Sequence, residues 1–248
     1  YAFGAQHDVP GMIALYGGDK GFTQKLDDLF SAPSEIHTNI PDITGLIGQY
    51  AQGNEMCHHI AYLYAMAGQP HKTQMRIREI FTKFFKDEPE GHPGNVDCGQ
   101  MSAWYVMSSA GIYPVNPSDG VYVIGSPAFD RTTFKFGGKR FAIVAENNGP
   151  KNIYIQSATL NGKPYEKTWI HHDQMVAGGN LTLKRGPRPS RWGTAPSARP
   201  APTMPKGFVY GPVPAPADDR PVTLPLPIRI SAGEDEEVAG FTIDPNMT

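Results

Sequence analysis

Apolar residues recur at helical spacing over roughly the first 115 positions and at strand spacing beyond them, so the chain reads as helices followed by strands. Residues 9–16 carry Met12, Ile13 and Leu15 and stop at Gly17-Gly18; Phe22, Leu26, Leu29 and Phe30 then repeat at the spacing of a second helix. Together they predict a helical hairpin. Residues 31–45 contain Pro33 and Pro41 and read as a connection. A helix is expected over about 56–67, ended by Gly68. Pro70 opens the next, whose buried stripe is Ile77, Ile80, Phe81 and Phe84 before Pro89. The last run, 100–110, is closed by Gly111 with Pro114 beyond. Helices paired through short turns, with longer polar loops on the other side, suggest an α/α arrangement such as part of a helical barrel or solenoid.

The two-residue period predicts strands at 121–124, 132–136, 140–144, 153–155, 167–170 and 181–183. Gly137-Gly138 and Asn161-Gly162 are hairpin signals, the second favouring a type I′ turn. The reading is therefore α+β, with a helical part at 1–117, a small antiparallel β-domain at 118–186 and a tail at 187–248. Thirteen of the 24 prolines lie in that tail, which excludes central strands and most helix. Edge strands are conceivable at 222–230 and 238–243, but most of the tail is expected to be extended or disordered. The acidic run 234–237 reads as solvated.

With 248 residues, 40% of them hydrophobic, the chain is large enough to bury a sizeable core. A net charge of -2 offers no electrostatic case for nucleic acid. No apolar run approaches the roughly 18 residues that a membrane span requires. Cys57 and Cys98 have no metal or redox spacing and are expected as two small buried thiols. Tyr1-Ala2-Phe3-Gly4 reads as the middle of something, so a fragment or processed product is expected and the lack of a leader says little about location.

Two polar stretches in loops ahead of helices could share one rim. The first is Pro93-Gly94-Asn95-Val96-Asp97-Cys98-Gly99-Gln100. Asp97 and Gln100 have the spacing of a capping box, which explains an Asp without any substrate; a carboxylate held at a helix start also stays ionised and could act as a base on water. The second is Gln52-Gly53-Asn54-Glu55, whose oxygens suit a hard cation such as Ca²⁺, or which simply starts a helix with Asn54 as cap. His58 and His59 could contact a polar ligand or be satisfied core histidines, and no zinc pattern is present. Trp104 and Tyr105 could stack on a sugar or fill the core. Asp173, after His171-His172, reads as a cap or turn residue, and phosphate loops and nucleophile elbows are absent.

Taken together, residues 42–50, the run Gly53-Asn54-Glu55-Met56-Cys57-His58-His59, Gly68-Gln69-Pro70, the run Asp97-Cys98-Gly99-Gln100-Met101-Ser102-Ala103-Trp104-Tyr105 and Tyr122-Val123-Ile124-Gly125-Ser126-Pro127 resemble glycoside hydrolase family 92. The resemblance covers about residues 1–194. It implies a calcium-dependent, exo-acting α-mannosidase that inverts the anomeric centre and acts on N-glycan or mannan mannosides. It also implies an N-terminal β-sandwich and an (α/α)6 barrel, of which this chain would carry the closing helices and trailing strands.

Residue by residue, the family's base matches Asp97. Where many members carry a further acid, Asn95 and Val96 stand here; Asn95 is expected near substrate with His58 and His59. The calcium region matches Gln52, Asn54 and Glu55. The general acid would lie ahead of Tyr1, so little or no hydrolysis is expected from the 248 residues alone. A secreted or periplasmic protein with a preference for α-1,2 linkages follows by the same resemblance. The rival readings are a non-catalytic carbohydrate-binding or structural remnant and a related barrel enzyme acting on another sugar.

Overall fold

The computed structural model describes residues 2–35 and 43–201. Its first elements are the expected hairpin, α1 (Val9–Leu15) and α2 (Asp19–Ser31). Asp8 caps α1 by accepting from the Gly11 N–H at 3.1 Å. Gly17 and Gly18 turn the corner with φ of 77° and 96°, a region L side chains avoid. The buried stripe of α2 is Phe22, Leu26 and Phe30. A short hairpin, β1 (Leu46–Ile47) and β2 (Tyr50–Ala51), follows.

The helix expected over 56–67 is broken into pieces: single 3₁₀ turns at Glu55–Cys57 and Ile60–Tyr62, then α3 (Leu63–Met66). Its residues are buried on every side from His58 to Ala65, so tertiary contacts rather than one amphipathic stripe set the path. In contrast, α4 (Pro70–Phe84) begins at its proline and buries Ile77 and Ile80 as its pattern predicts. Helix α5 (Gln100–Ala110) buries Trp104 completely and ends at Gly111, φ 97°.

Three strands form one sheet in the order β3 (Ile112–Tyr113), β4 (Val121–Ile124), β9 (Trp169–His171). Between β4 and β9 in the chain lie β5 (Arg131–Phe136), β6 (Lys139–Glu146), β7 (Tyr154–Leu160) and β8 (Lys163–Pro164). Helix α6 (His172–Val176) and β10 (Gly179–Gly186) complete the elements. The second sheet runs β5-β6-β10-β7-β8. Both glycine turns behave as their sequences predict, and Asn161 and Gly162 take positive φ (51° and 79°), as a type I′ turn requires. The β region is not wholly antiparallel: β10 lies parallel to β6, with Leu181 opposite Ile143. Such a pair joins segments distant in the chain and leaves no local turn signal. Asp173 lies in the first turn of α6, for which His171 provides a capping box with Gln174.

One apolar core centres on Phe22, Tyr64, Ile77 and Trp104, the other on Phe141, Ile143, Leu181 and Trp192. Trp192 lies in the stretch expected to be extended or disordered. It is instead buried, its indole N–H donating to the Tyr165 carbonyl at 2.8 Å. Arg199 further ties this stretch to Asp19 through two hydrogen bonds of 2.7 and 2.8 Å. The strands and acidic run expected beyond residue 201 lie outside the described residues. Cys57 is half-buried and Cys98 is exposed, both as free thiols, so the expectation of two buried thiols fails at Cys98. Among the described residues no helix is long and apolar enough to cross a membrane.

Candidate active site

Glycines bring the two polar stretches together. Gly94 has φ 68°, and a Cβ built there would stand 2.5 Å from the Gly53 carbonyl oxygen. The backbone around Gly94 therefore lies directly on that around Gly53, closer than any side chain permits. One on Gly53 would in turn stand 2.0 Å from the Thr44 hydroxyl oxygen.

Asp97 is carried on a 3₁₀ turn, Asp97–Gly99, that precedes α5. The capping-box expectation fails here. Gly99 is the N-cap of α5, in a left-handed conformation, and no side chain caps that helix. Gln100 does not reach back; its amide donates to the Tyr113 hydroxyl at 3.1 Å and approaches His58 Nδ1 at 3.4 Å. Cys98 also takes a left-handed backbone, φ 49° and ψ 25°, which costs a side-chain-bearing residue roughly 1 kcal/mol. Together Cys98 and Gly99 turn Asp97 out of the helix, exposed and with no side-chain partner among the described residues. A carboxylate freed in this way is available to a substrate or to a water.

It borders a cavity of about 500 Å³ whose walls include Gln6, Glu55, His59, Gln100 and Trp104. Glu55 presents the second carboxylate, and its Oε1 is buried without a hydrogen-bond partner. His59 is 4% exposed, with its Nε2–H donating to the Phe3 carbonyl at 2.7 Å. Burial lowers the His59 pKa against the opposing effect of that carbonyl, so the ring in the wall is neutral at neutral pH. Trp104 is held by its indole N–H on the His58 carbonyl at 3.0 Å.

The other expected site residues fare differently. His58 is fully buried outside the cavity wall, its Nε2–H donating to the Gln52 carbonyl at 3.0 Å. That is the role of a core histidine. Asn95 is exposed and does not line the cavity. The Gln52 side chain is buried and committed: its oxygen accepts from Tyr50 at 2.5 Å and its N–H₂ faces Met101 Sδ at 3.6 Å. Asn54 accepts from the Met56 N–H at 3.1 Å, the helix-start role. Among the described residues no group of three or more His, Cys, Asp or Glu side chains could hold a metal ion. What fits a hard cation is the unpartnered Glu55 oxygen, since Ca²⁺ completes its shell with amide, carbonyl and water oxygens. Gln6 and Tyr113, which also reach the cavity, were not singled out by pattern; only the folded chain brings them there. Tyr105 faces away from Asp97, half-exposed over Phe85, in a separate cavity of about 560 Å³.

A cavity with one free carboxylate on its rim and a second, unpartnered one in a largely apolar wall sets two acids around one space, as glycoside hydrolysis requires. Residues 1–187 match the glycosyl hydrolase family 92 catalytic domain, and the chain belongs to that family. A curated relative, an uncharacterized secreted glycosidase of Arthroderma benhamiae, is 36% identical over 196 residues, covering 77% of this chain and 23% of its own. A family GH92 α-mannosidase from Bacteroides thetaiotaomicron, solved in complex with mannoimidazole, superposes with a TM-score of 0.75 at 38% identity, over 80% of this chain and 26% of its own. A family GH92 inverting mannosidase from Bacteroides thetaiotaomicron VPI-5482 gives 0.71 at 35% identity, over 81% and 29%. The chain thus spans about a quarter of the length of these relatives.

Proposed function

We propose that this chain forms the base-bearing wall of the active site of an inverting, exo-acting α-mannosidase, with a preference for α-1,2-linked mannosides of N-glycans or mannan. The observation that carries the reading is Asp97, a carboxylate that caps no helix and that a two-residue left-handed turn sets on the rim of a cavity shared with Glu55. Inversion requires a carboxylate that takes a proton from water as the water attacks the anomeric carbon, and an acid that protonates the departing oxygen from the opposite side. Asp97 takes the first role. The second is assigned to no residue of these 248; by resemblance it lies ahead of them, as do the β-sandwich and the rest of the (α/α)6 barrel that α1 to α5 would complete. The family's structural relatives named as mannosidases support the sugar, and the relative named as secreted supports a secreted or periplasmic location.

Calcium belongs to the same proposal. The Glu55 carboxylate would hold it, joined by the Asn54 amide oxygen, and the bound ion would supply a Lewis-acidic contact to sugar hydroxyls. Gln52 is left out as a side-chain ligand, because it is fully buried with its amide bonded between Tyr50 and Met101, whereas Asn54 is only partly buried. His59, Gln100 and Trp104 shape the pocket, the first two offering polar contacts and the third a rigid back wall.

The test is mannose release from α-1,2-mannobiose by protein that carries the leaving-group acid together with this segment. Replacing Asp97 by Asn should lower turnover by about 10²–10⁴-fold, the usual contribution of a general base. Chelation with EGTA should lower it as well, with recovery on adding Ca²⁺. Turnover unchanged in Asp97→Asn would rule out the base assignment. Mannoside binding without turnover in the unsubstituted protein would move the reading to a carbohydrate-binding remnant.

A further inference from the structure

Outside this cavity, two arginines converge on one serine with no acid between them. Arg185 sits on β10 at a position where alternation calls for a core residue, following Leu181 and Leu183 on the same face, and it is 1% exposed. A register shift between Lys184 and Arg185 bends the strand at this point. One guanidinium N–H₂ of Arg185 donates to the Ser126 hydroxyl oxygen at 2.6 Å and also to the Ile153 carbonyl. Arg78, reaching in from α4, donates its Nε–H to the same Ser126 oxygen at 3.0 Å and its Nη2–H to Asn148 Oδ1 at 2.6 Å.

The acceptors around the pair are all neutral and all in use. Ser126 accepts from both arginines and passes its own proton to the Ile153 carbonyl at 3.1 Å, so neither oxygen has a lone pair left over. Yet Nε and Nη1 of Arg185 are buried with no partner. Burial first, and Arg78 second, push the Arg185 pKa down to about 9, so at neutral pH the group keeps its proton and its charge. Burial also lowers that of Arg78. Among the described residues neither arginine is in an ion pair. A fully buried cation and a half-buried one sharing one hydroxyl, with buried donors to spare on Arg185 and no counter-charge, make an arrangement that a negative charge would relieve.

We propose that the Arg78–Ser126–Arg185 cluster binds a small monatomic anion, a halide, through the free N–H groups of Arg185. Because α4 supplies one arginine and β10 the other, the ion would pin the helical layer to the five-stranded sheet. Gln74 of α4 already makes a contact of this kind, accepting from the Ile155 N–H at 3.0 Å. Because both free nitrogens of Arg185 are buried, a small halide is favoured over a bulkier phosphate or sugar acid.

The experiment is thermal melting of the full chain at constant ionic strength with chloride exchanged for gluconate, alongside crystals soaked in bromide. At a chloride concentration about 100 times the dissociation constant, the midpoint should rise by roughly 5–10 °C over gluconate. Bromide should give an anomalous peak beside Arg185 Nε or Nη1. Arg185→Met, which keeps the apolar stem and removes the charge, should melt at the same temperature in both salts. Equal midpoints for the unsubstituted chain, an undiminished chloride effect in Arg185→Met, or no bromide peak at the cluster would each overturn the assignment. Should Arg185→Met fail to fold, the bromide peak on the unsubstituted chain decides alone. None of these readouts depends on turnover, so the mannosidase reading can fail without affecting them.

Discussion

Asp97 combines chemical exposure with structural independence. It caps nothing, pairs with nothing among the described residues and buries no apolar surface, so its removal has no mechanism by which to destabilise the fold. Asp97→Asn is therefore expected to melt within about 0.5 kcal/mol of the unsubstituted protein while losing turnover. A circular-dichroism melt beside the mannose assay checks both halves, and a large drop in stability would reveal a structural role instead. Gly99 is the opposite kind of residue. Its φ of 80° sets the turn that exposes Asp97, and a Cβ there would meet nothing within 4 Å. The cost of Gly99→Ala is then backbone strain alone, about 1–2 kcal/mol in a urea titration. The sequence pattern singled out Asp97, Glu55 and His59, and the structure brings these three to one cavity. It misjudged how Asp97 is held, because a left-handed Cys98 has no signature in composition or spacing, and Asp followed by Gln three residues later looks like a cap whether or not it caps.

At the scale of elements, legibility followed the number of neighbours each segment must satisfy. Helix α4 has one buried stripe and one solvent face, so its period showed. Within the 55–66 stretch residues 58–65 are enclosed all round, and its 3₁₀ turns and short helix were unreadable from any period. The same holds for the β6–β10 pair, whose partners are joined by no hairpin. Proline density likewise misled at residues 187–201, where one large aromatic outweighs the composition. Trp192 is 4% exposed and packs with Phe141 and Leu181, so Trp192→Ala is expected to cost about 3–5 kcal/mol. An equilibrium denaturation curve checks this, and a change under 1 kcal/mol would mean that the stretch merely rests on the sheet. Between elements, the contact of the two site loops makes a separate demand. Ala at position 94 would put a methyl group 2.5 Å from the Gly53 oxygen, forcing the loop of Asp97 away from that of Glu55. Gly94→Ala should accordingly impair turnover far more than a surface substitution does, even though position 94 carries no chemistry.

For the molecule as a whole, buried imidazoles set how stability responds to pH. His58 and His59 are almost wholly enclosed, and burial lowers the pKa of both, with carbonyl hydrogen bonds opposing it only in part. His71, half-buried beside Lys72, is lowered too, by burial first and by that lysine second. In the unfolded chain these rings titrate near pH 6.5. Above that pH both states hold them neutral, and stability is at its full value. Below it the unfolded chain takes up protons that the folded chain refuses, so stability falls as the pH drops from about 6.5 toward the depressed folded values. Each fully enclosed ring can contribute at most about 1.4 kcal/mol per pH unit, so a loss of about 1–3 kcal/mol between pH 7 and pH 5.5 is expected. Ordinary carboxylates titrate below this window, which leaves the histidines as its main source. Urea midpoints at pH 7.5, 6.5 and 5.5 measure it, and His59→Gln, which keeps a donor for the Phe3 carbonyl but cannot be protonated, should flatten the decline. A midpoint that holds steady or rises toward pH 5.5 would mean that these rings accept protons in place, and the neutral His59 in the wall of the cavity would have to be given up with it.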